Sequence, residues 1–207
     1  MIALERGGGI WTATIDREGK AGALSETMLA QLADIAEEAQ SGEVRLLILT
    51  GRSKVFSAGA DLAEMQTGLA TSPTWERLSS AIAALPCLSI AALNGTVAGG
   101  AIGMVLACDF RIAAPGAELF YPVMKRGFLP QPSDPARLAA LIGPARARRI
   151  LLAGQRLDAQ TALDWGLYDR VAEPDALKDA ALEMADHALA ATPDHVAAIK
   201  RLIPQTR

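Results

Sequence analysis

Apolar and polar positions along this chain switch repeatedly between strand-like and helix-like patterns. Residues 10–16, from Ile10 through Trp11, Thr12 and Thr14 to Ile15, combine alternation with β-branching and predict a strand. Met28, Leu29, Leu32, Ile35, Ala36 and Ala39 then recur at helical spacing, with Ser25 as N-cap and Gly42 as the stop. Residues 44–50 are an almost continuous apolar run, the pattern of a strand covered on both faces. Strand, helix, strand and a Gly-containing loop make a βαβ unit, which implies a sheet that is at least partly parallel.

The same reading predicts a short helix over 62–65, a polar loop over 68–73, and a helix over 75–85 that ends at Pro86. A strand over 88–93 follows, then a helix of small residues over 98–107, a strand over 109–113 and an extended piece over 118–121 closed by Pro122. Residues 125–134 read as a loop, with Pro130, Pro132 and Pro135 in or beside it. Beyond it the pattern is helical over 136–142, 145–152, 159–165, 175–191 and 194–202, interrupted by a short apolar piece over 167–171. The expected organisation is one α/β domain spanning 1–207, with a core over 1–154 and a mostly helical appendage over 155–207.

Residues 88–107 carry no charge over 20 positions, long enough to be considered as a membrane span. Asn94, Thr96 and the Asn94-Gly95 turn signal in the middle of the run argue against it, and no membrane partner is expected. Half the residues are apolar but only 4% aromatic, so the interior must be built from Ala, Leu, Ile and Val. A formal net charge of −3 without a long basic run makes nucleic acid an unsuitable partner. Cys87 and Cys108 lie in apolar surroundings without metal-ligand spacing, so buried thiols in a reducing compartment are expected and no metal is implied. Met1 to Arg6 lack the charged and apolar regions of a signal peptide, and the expected location is the cytoplasm.

Two glycine stretches carry the candidate chemistry. Asn94 to Gly103 places Gly99 and Gly100 at a strand-to-helix transition, where backbone N–H groups lack partners and a ligand oxygen can approach closely. Gly99 and Gly103 could equally serve close helix packing. Gly51 to Leu62 places small residues, Ser57 to Ala60, just before Asp61. Asp61 is a candidate cap for the helix that starts at Leu62, and the plainer reading of this stretch is a capped turn. Gly51 and Lys54 do not have the spacing of a phosphate loop.

Together these stretches resemble the signatures of the crotonase, or enoyl-CoA hydratase/isomerase, superfamily. Leu47-Ile48-Leu49-Thr50-Gly51 followed by Phe56-Ser57-Ala58-Gly59-Ala60-Asp61-Leu62 is similar to the first signature. Ala91 to Gly95, Gly99-Gly100 and Ala107-Cys108-Asp109 are similar to the second. Arg17 to Leu24 and Ala162 to Val171 resemble two further segments, though Gly22 stands where Asn is common. The resemblance implies a spiral of ββα turns, an acyl-CoA thioester ligand and a homotrimer or hexamer. It implies no cofactor other than coenzyme A carried as part of the substrate. It also implies an oxyanion hole made by the backbone N–H groups of Ala60 and Gly100. Its substrate-binding positions map to Lys20, Ala21, Ala23, Leu24, Ala58, Gly59, Ala60, Asp61, Leu62, Gly99, Gly100 and Val123. Arg17, Lys20 and Arg52 are candidate phosphate partners, although each reads more simply as a solvated charge.

The departures from that pattern bear on the reaction. Hydration needs an acid and a base, supplied in the family by two glutamates. The matching positions here are Gly103 and Val123, the latter directly after Pro122, and an aspartate used by some isomerases maps to Gln131. Tyr121, Lys125, Gln131 and Asp134 are the nearest alternatives. Asp134, the one carboxylate among them, reads more readily as an N-cap than as a catalytic group. His187 and His195 fall in the C-terminal helices. The chain also ends several helices sooner than is usual in the family, which bears on its oligomer contacts and the cover of its pocket. Isomerase, decarboxylase or other lyase chemistry at a thioester enolate is expected, with weak or no hydration of crotonyl-CoA. The alternative is a catalytically silent acyl-CoA-binding or assembly subunit.

Overall fold

The computed structural model describes residues 1–203 except Gly42 and Ser53. The helix stop assigned to Gly42 therefore lies outside the described residues. In chain order the strands are β1 (Ile2–Gly7), β2 (Ile10–Ile15), β3 (Leu46–Gly51), β4 (Val55–Ser57), β5 (Leu88–Leu93), β6 (Thr96–Ala98), β7 (Phe110–Ala113), β8 (Leu119–Phe120) and β9 (Arg170–Val171). The α-helices are α1 (Glu26–Glu38), α2 (Leu62–Met65), α3 (Thr74–Ala83), α4 (Ala101–Ala107), α5 (Val123–Arg126), α6 (Asp134–Ile142), α7 (Pro144–Leu151), α8 (Ala159–Asp164), α9 (Leu177–Ala190) and α10 (Pro193–Leu202).

A six-stranded sheet runs β1-β2-β3-β5-β7-β9, and a three-stranded sheet runs β4-β6-β8. Only β1 is antiparallel to its neighbour; the other pairings in both sheets are parallel. Each pass of the chain lays one strand in the large sheet and the next in the small one, then turns into helix: β3-β4-α2, β5-β6-α4 and β7-β8-α5. This is the expected ββα spiral.

The strand faces sort as the apolar runs require. On β3, Leu47 and Leu49 enter the main core, while Leu46 and Ile48 enter a second cluster on the other face. On β5, Ala91 and Leu93 face the main core, and Leu88, Ile90 and Ala92 the second cluster. The second face is closed by α9 through Leu177, Ala180, Ala181 and Ala185. Arg45 anchors that helix by donating to the carbonyls of Leu189 at 2.9 Å and Ala191 at 2.5 Å, near the C-terminal end of α9. On α10, Lys200 reaches Asp109 at 2.6 Å and the Cys87 carbonyl at 2.7 Å. Leu182 and Leu189 pack on the second cluster, whereas Ile199 is exposed.

Several predicted boundaries move. The helix expected over 98–107 begins at Ala101, because Val97 and Ala98 pair with β4 and β8 in the small sheet first. The uncharged run 88–107 is thus two strands and a short helix, and among the described residues no helix is long and apolar enough to cross a membrane. The loop expected over 125–134 is preceded by the single turn α5, which runs on to Arg126. β1 was not predicted; it forms a hairpin with β2 across Gly8 and Gly9, both at positive φ. Both cysteines are free and buried, and burial pushes the Cys87 thiol up to about 11 and the Cys108 thiol up to about 12.

Candidate active site

The strand-to-strand turns of successive passes meet at one end of the small sheet. Asn94 ties two of them together: its Oδ1 accepts from the Gly51 N–H at 2.9 Å and its Nδ2 donates to the Val55 carbonyl at 3.2 Å. A Cβ on the adjacent Gly95 would lie 2.0 Å from the Lys54 carbonyl oxygen, so no side chain fits there. Further along, Gly59 (φ 90°) and Gly99 (φ 58°) face each other backbone to backbone. A Cβ on Gly59 would lie 2.8 Å from the Ala98 carbonyl and 3.4 Å from the Gly99 Cα. The residues that follow, Ala60 and Gly100, therefore stand on adjoining loops. Neither Ala60 N–H nor Gly100 N–H donates to any acceptor among the described residues. The Trp75 ring packs directly over Gly100, close enough that a Cβ there would be 3.1 Å from it.

Ala60 and Gly100 lie in the wall of a cavity of about 660 Å³, well within the range of small-molecule sites. Lys20, Ala23, Ala58, Asp61, Leu62, Gly99 and Val123 join them in that wall. Ala21, Leu24 and Gly59 are not in the wall but form its frame. The Ala21 carbonyl accepts from Ala58 N–H, and Leu24 exchanges bonds with the Gly59 carbonyl and the Asp61 N–H. Sequence reasoning missed the apolar remainder: Met65, Ala70, Trp75 and Phe120, with Phe128 and Leu129 in the loop after α5. The signal available in the sequence was Phe128-Leu129, an apolar pair inside a proline-rich loop.

Asp61 fixes the loops around the cavity. Its carboxylate caps α2 by accepting from the Ala63 N–H at 2.9 Å, and it pairs with Arg17 at 2.7 Å and Lys20 at 3.2 Å. The Ala63 N–H holds this carboxyl below the usual carboxylate range against the cost of burial, with Lys20 and Arg17 adding to the effect. Arg17 also donates to the Ala23 carbonyl at 2.8 Å, so it is a structural tie between loops and not a solvated charge. Arg52 pairs with Asp16 at 3.1 Å, away from the cavity wall. Lys20 and Arg126 are the cations in the wall.

Asp134 is not the N-cap of α6. Ser133 occupies the cap position, and its N–H and hydroxyl both donate across to the Glu76 carboxylate. That frees Asp134, at the first helical position, to turn inward, where it is fully buried. The Tyr121 hydroxyl donates to its Oδ2 at 2.7 Å and accepts from the Gln131 N–H at 3.2 Å. The other oxygen, Oδ1, has no partner among the described residues and sits over Gly103, where an added Cβ would be 2.8 Å from it. Burial pushes the Asp134 carboxyl up to about 7, with Glu76 adding to the rise and Tyr121 and Arg137 opposing it. Tyr121 lines the cavity, and Asp134 stands directly behind it. Gln131 is also in the wall. His187 and His195 lie on α9 and α10, and neither is in the wall.

The profile of the family described as enoyl-CoA hydratase/isomerase matches residues 5–206. The chain belongs to this family. It is similar to a carnitinyl-CoA dehydratase of Citrobacter koseri, at 34% identity over 207 residues covering 97% of this chain and 79% of the relative. A probable enoyl-CoA hydratase of Mycobacterium leprae is 31% identical over 184 residues, covering 87% of this chain and 73% of its own. Among solved structures, an enoyl-CoA hydratase from Bacillus anthracis superposes with a TM-score of 0.90 at 31% identity, covering 98% of this chain and 81% of that one. Crotonase-superfamily membership and its fold follow from these matches.

Proposed function

We propose that this protein is an acyl-CoA enzyme that stabilises a thioester enolate at the N–H groups of Ala60 and Gly100. The observation that carries the reading is the pair of undonated backbone N–H groups on adjoining glycine loops in a largely apolar cavity. Fixed donors aimed at a developing oxyanion are a large source of rate, and removing one donor in other enzymes costs about 10²- to 10³-fold. The apolar wall of Met65, Ala70 and Trp75 suits an acyl chain, and Lys20 and Arg126 suit coenzyme A phosphates.

The reaction is isomerase-, decarboxylase- or other lyase-type chemistry in preference to ordinary hydration. Gly103 and Val123 stand where the family resemblance puts the two glutamates, and neither side chain can move a proton. The setting is cytoplasmic and the working form a homotrimer or hexamer, in line with the apolar surface left on α10. Calorimetric titration with acetyl-CoA and a longer acyl-CoA is expected to give saturable binding. The same preparation should hydrate crotonyl-CoA weakly or not at all. Absence of binding by either thioester at millimolar concentration would refute the reading.

A further inference from the structure

The position that the family resemblance gives to one acid/base group is approached by a carboxyl from a different element. Gly103 on α4 offers no side chain, and the space its side chain would fill holds the Asp134 carboxyl, delivered from α6. Asp134 is fully buried, one of its oxygens is unpartnered, and the other is 2.7 Å from the hydroxyl of Tyr121, which lines the cavity. We propose that Tyr121 and Asp134 form the single proton-transfer pair of this site, with Tyr121 the catalytic residue at the α-carbon of the bound thioester and Asp134 the positioning residue that resupplies its proton. This rests on the acyl-CoA reading above and deepens it.

The step balances without any further reactant. As the enolate electron pair closes a Cα–H bond, the Tyr121 O–H bond breaks and the oxyanion becomes the thioester carbonyl again. For this step the 2.7 Å contact runs in the reverse sense, with protonated Asp134 as donor and the Tyr121 O–H turned to the substrate. The Asp134 O–H bond breaks in turn, its proton passes to Tyr121 Oη, and Asp134 is left as carboxylate. Run backwards, the same pair removes an α-proton. One such pair handles one proton at one carbon. Hydration would need a second group to deprotonate the water, and Val123 supplies none. The substrate class is therefore a thioester whose reaction turns on proton transfer at the α-carbon alone, such as a malonyl-type acyl group whose decarboxylation leaves an enolate to be protonated there.

The groups facing Asp134 limit what titrates there. Tyr121 is pushed well above the ordinary phenol range by burial and by Asp134. Glu76 on α3 is raised by burial but held low on balance by Ser133, Ser80 and Arg137. Arg137 shares α6 with Asp134, and α4 carries no titratable side chain. Among these carboxyl and phenol groups, Asp134 alone titrates near neutrality.

The test follows exchange of the α-protons of butyryl-CoA in D₂O by NMR, with calorimetric affinity measured on the same samples. Wild-type protein should exchange them well above buffer, at a rate that rises with pH through about 7. Tyr121→Phe and Asp134→Asn should each lose about 10²-fold or more, with affinity within about threefold of wild type. Asp134→Asn should also lose the inflection near neutrality, which a purely structural role would leave in place. If one variant does not fold, the other decides. Full exchange in either variant at retained affinity would overturn the proposal, as would binding without exchange in the wild type. Absence of binding in the wild type would overturn the acyl-CoA reading, and the proposal with it.

Discussion

A carboxyl that keeps its proton to about pH 7 in the folded state leaves a mark on stability as well as on chemistry. An unfolded aspartate titrates near 3.9, so between about pH 4 and pH 7 folded Asp134 holds a proton that the unfolded chain has lost. The unfolded state binds fewer protons in that window, and stability must fall as pH rises through it, at up to about 1.4 kcal/mol per pH unit. Above about pH 7 the native state carries the full penalty of an ionised buried carboxyl, on the order of a few kcal/mol. Asp134→Asn keeps an acceptor for the Tyr121 hydroxyl and removes the titration. Its unfolding free energy relative to wild type should climb from pH 4 to pH 7 and leave the variant the more stable at pH 8. Taking the difference between the two proteins cancels groups shifted the other way, such as Asp61 and Asp158. Denaturant unfolding across that range checks this; parallel profiles would show that Asp134 is already ionised in the folded protein at pH 4.

At the scale of elements, long runs with one dominant period were legible and short segments shaped by distant partners were not. The interior strands β3 and β5 declared themselves through uncharged runs, and α1 through its apolar spacing and the Ser25 cap, which accepts from the Met28 N–H. β4 and β6 span three residues each, too few for any alternation to register, while the two residues of β8 fall inside the extended piece expected over 118–121. β6 pairs with segments far along the chain, so its last residue, Ala98, was read into a helix that starts at Ala101. The glycine loops were read as places where a ligand oxygen or a neighbouring element can come close, and Gly59 and Gly99 do meet backbone to backbone; Asp61 was read correctly as a cap. Nothing in the chain around Asp134 pointed to Gly103: Ser-Asp-Pro before an apolar run is ordinary helix-start chemistry. What turns Asp134 inward is Glu76 on α3, which satisfies the Ser133 N–H, and the side-chain space left by Gly103. Only the packing of α3, α4 and α6 brings those residues together.

Besides Met1, Leu62 and Leu152, the exposed large apolar side chains among the described residues fall in two groups. Beside the cavity, Met124 and Leu129 are 63% and 89% exposed, and at the end of α10 Leu202 and Ile203 are 82% and 58% exposed. Large apolar side chains grouped in this way mark contact surfaces. Light scattering over a range of concentrations should report a trimer or hexamer, and replacing Leu202 and Ile203 by polar residues should shift the distribution toward smaller species. A monodisperse monomer at every concentration would contradict the proposed assembly. The claim on which the rest depends is that Ala60 and Gly100 hold the thioester oxygen. A butyryl-CoA labelled with ¹³C at the thioester carbonyl reads that contact directly, because two hydrogen bonds polarise the carbonyl. On titration into the protein, its resonance should move downfield and saturate with the affinity found by calorimetry. Saturable binding with the carbonyl resonance at its free position would contradict the account.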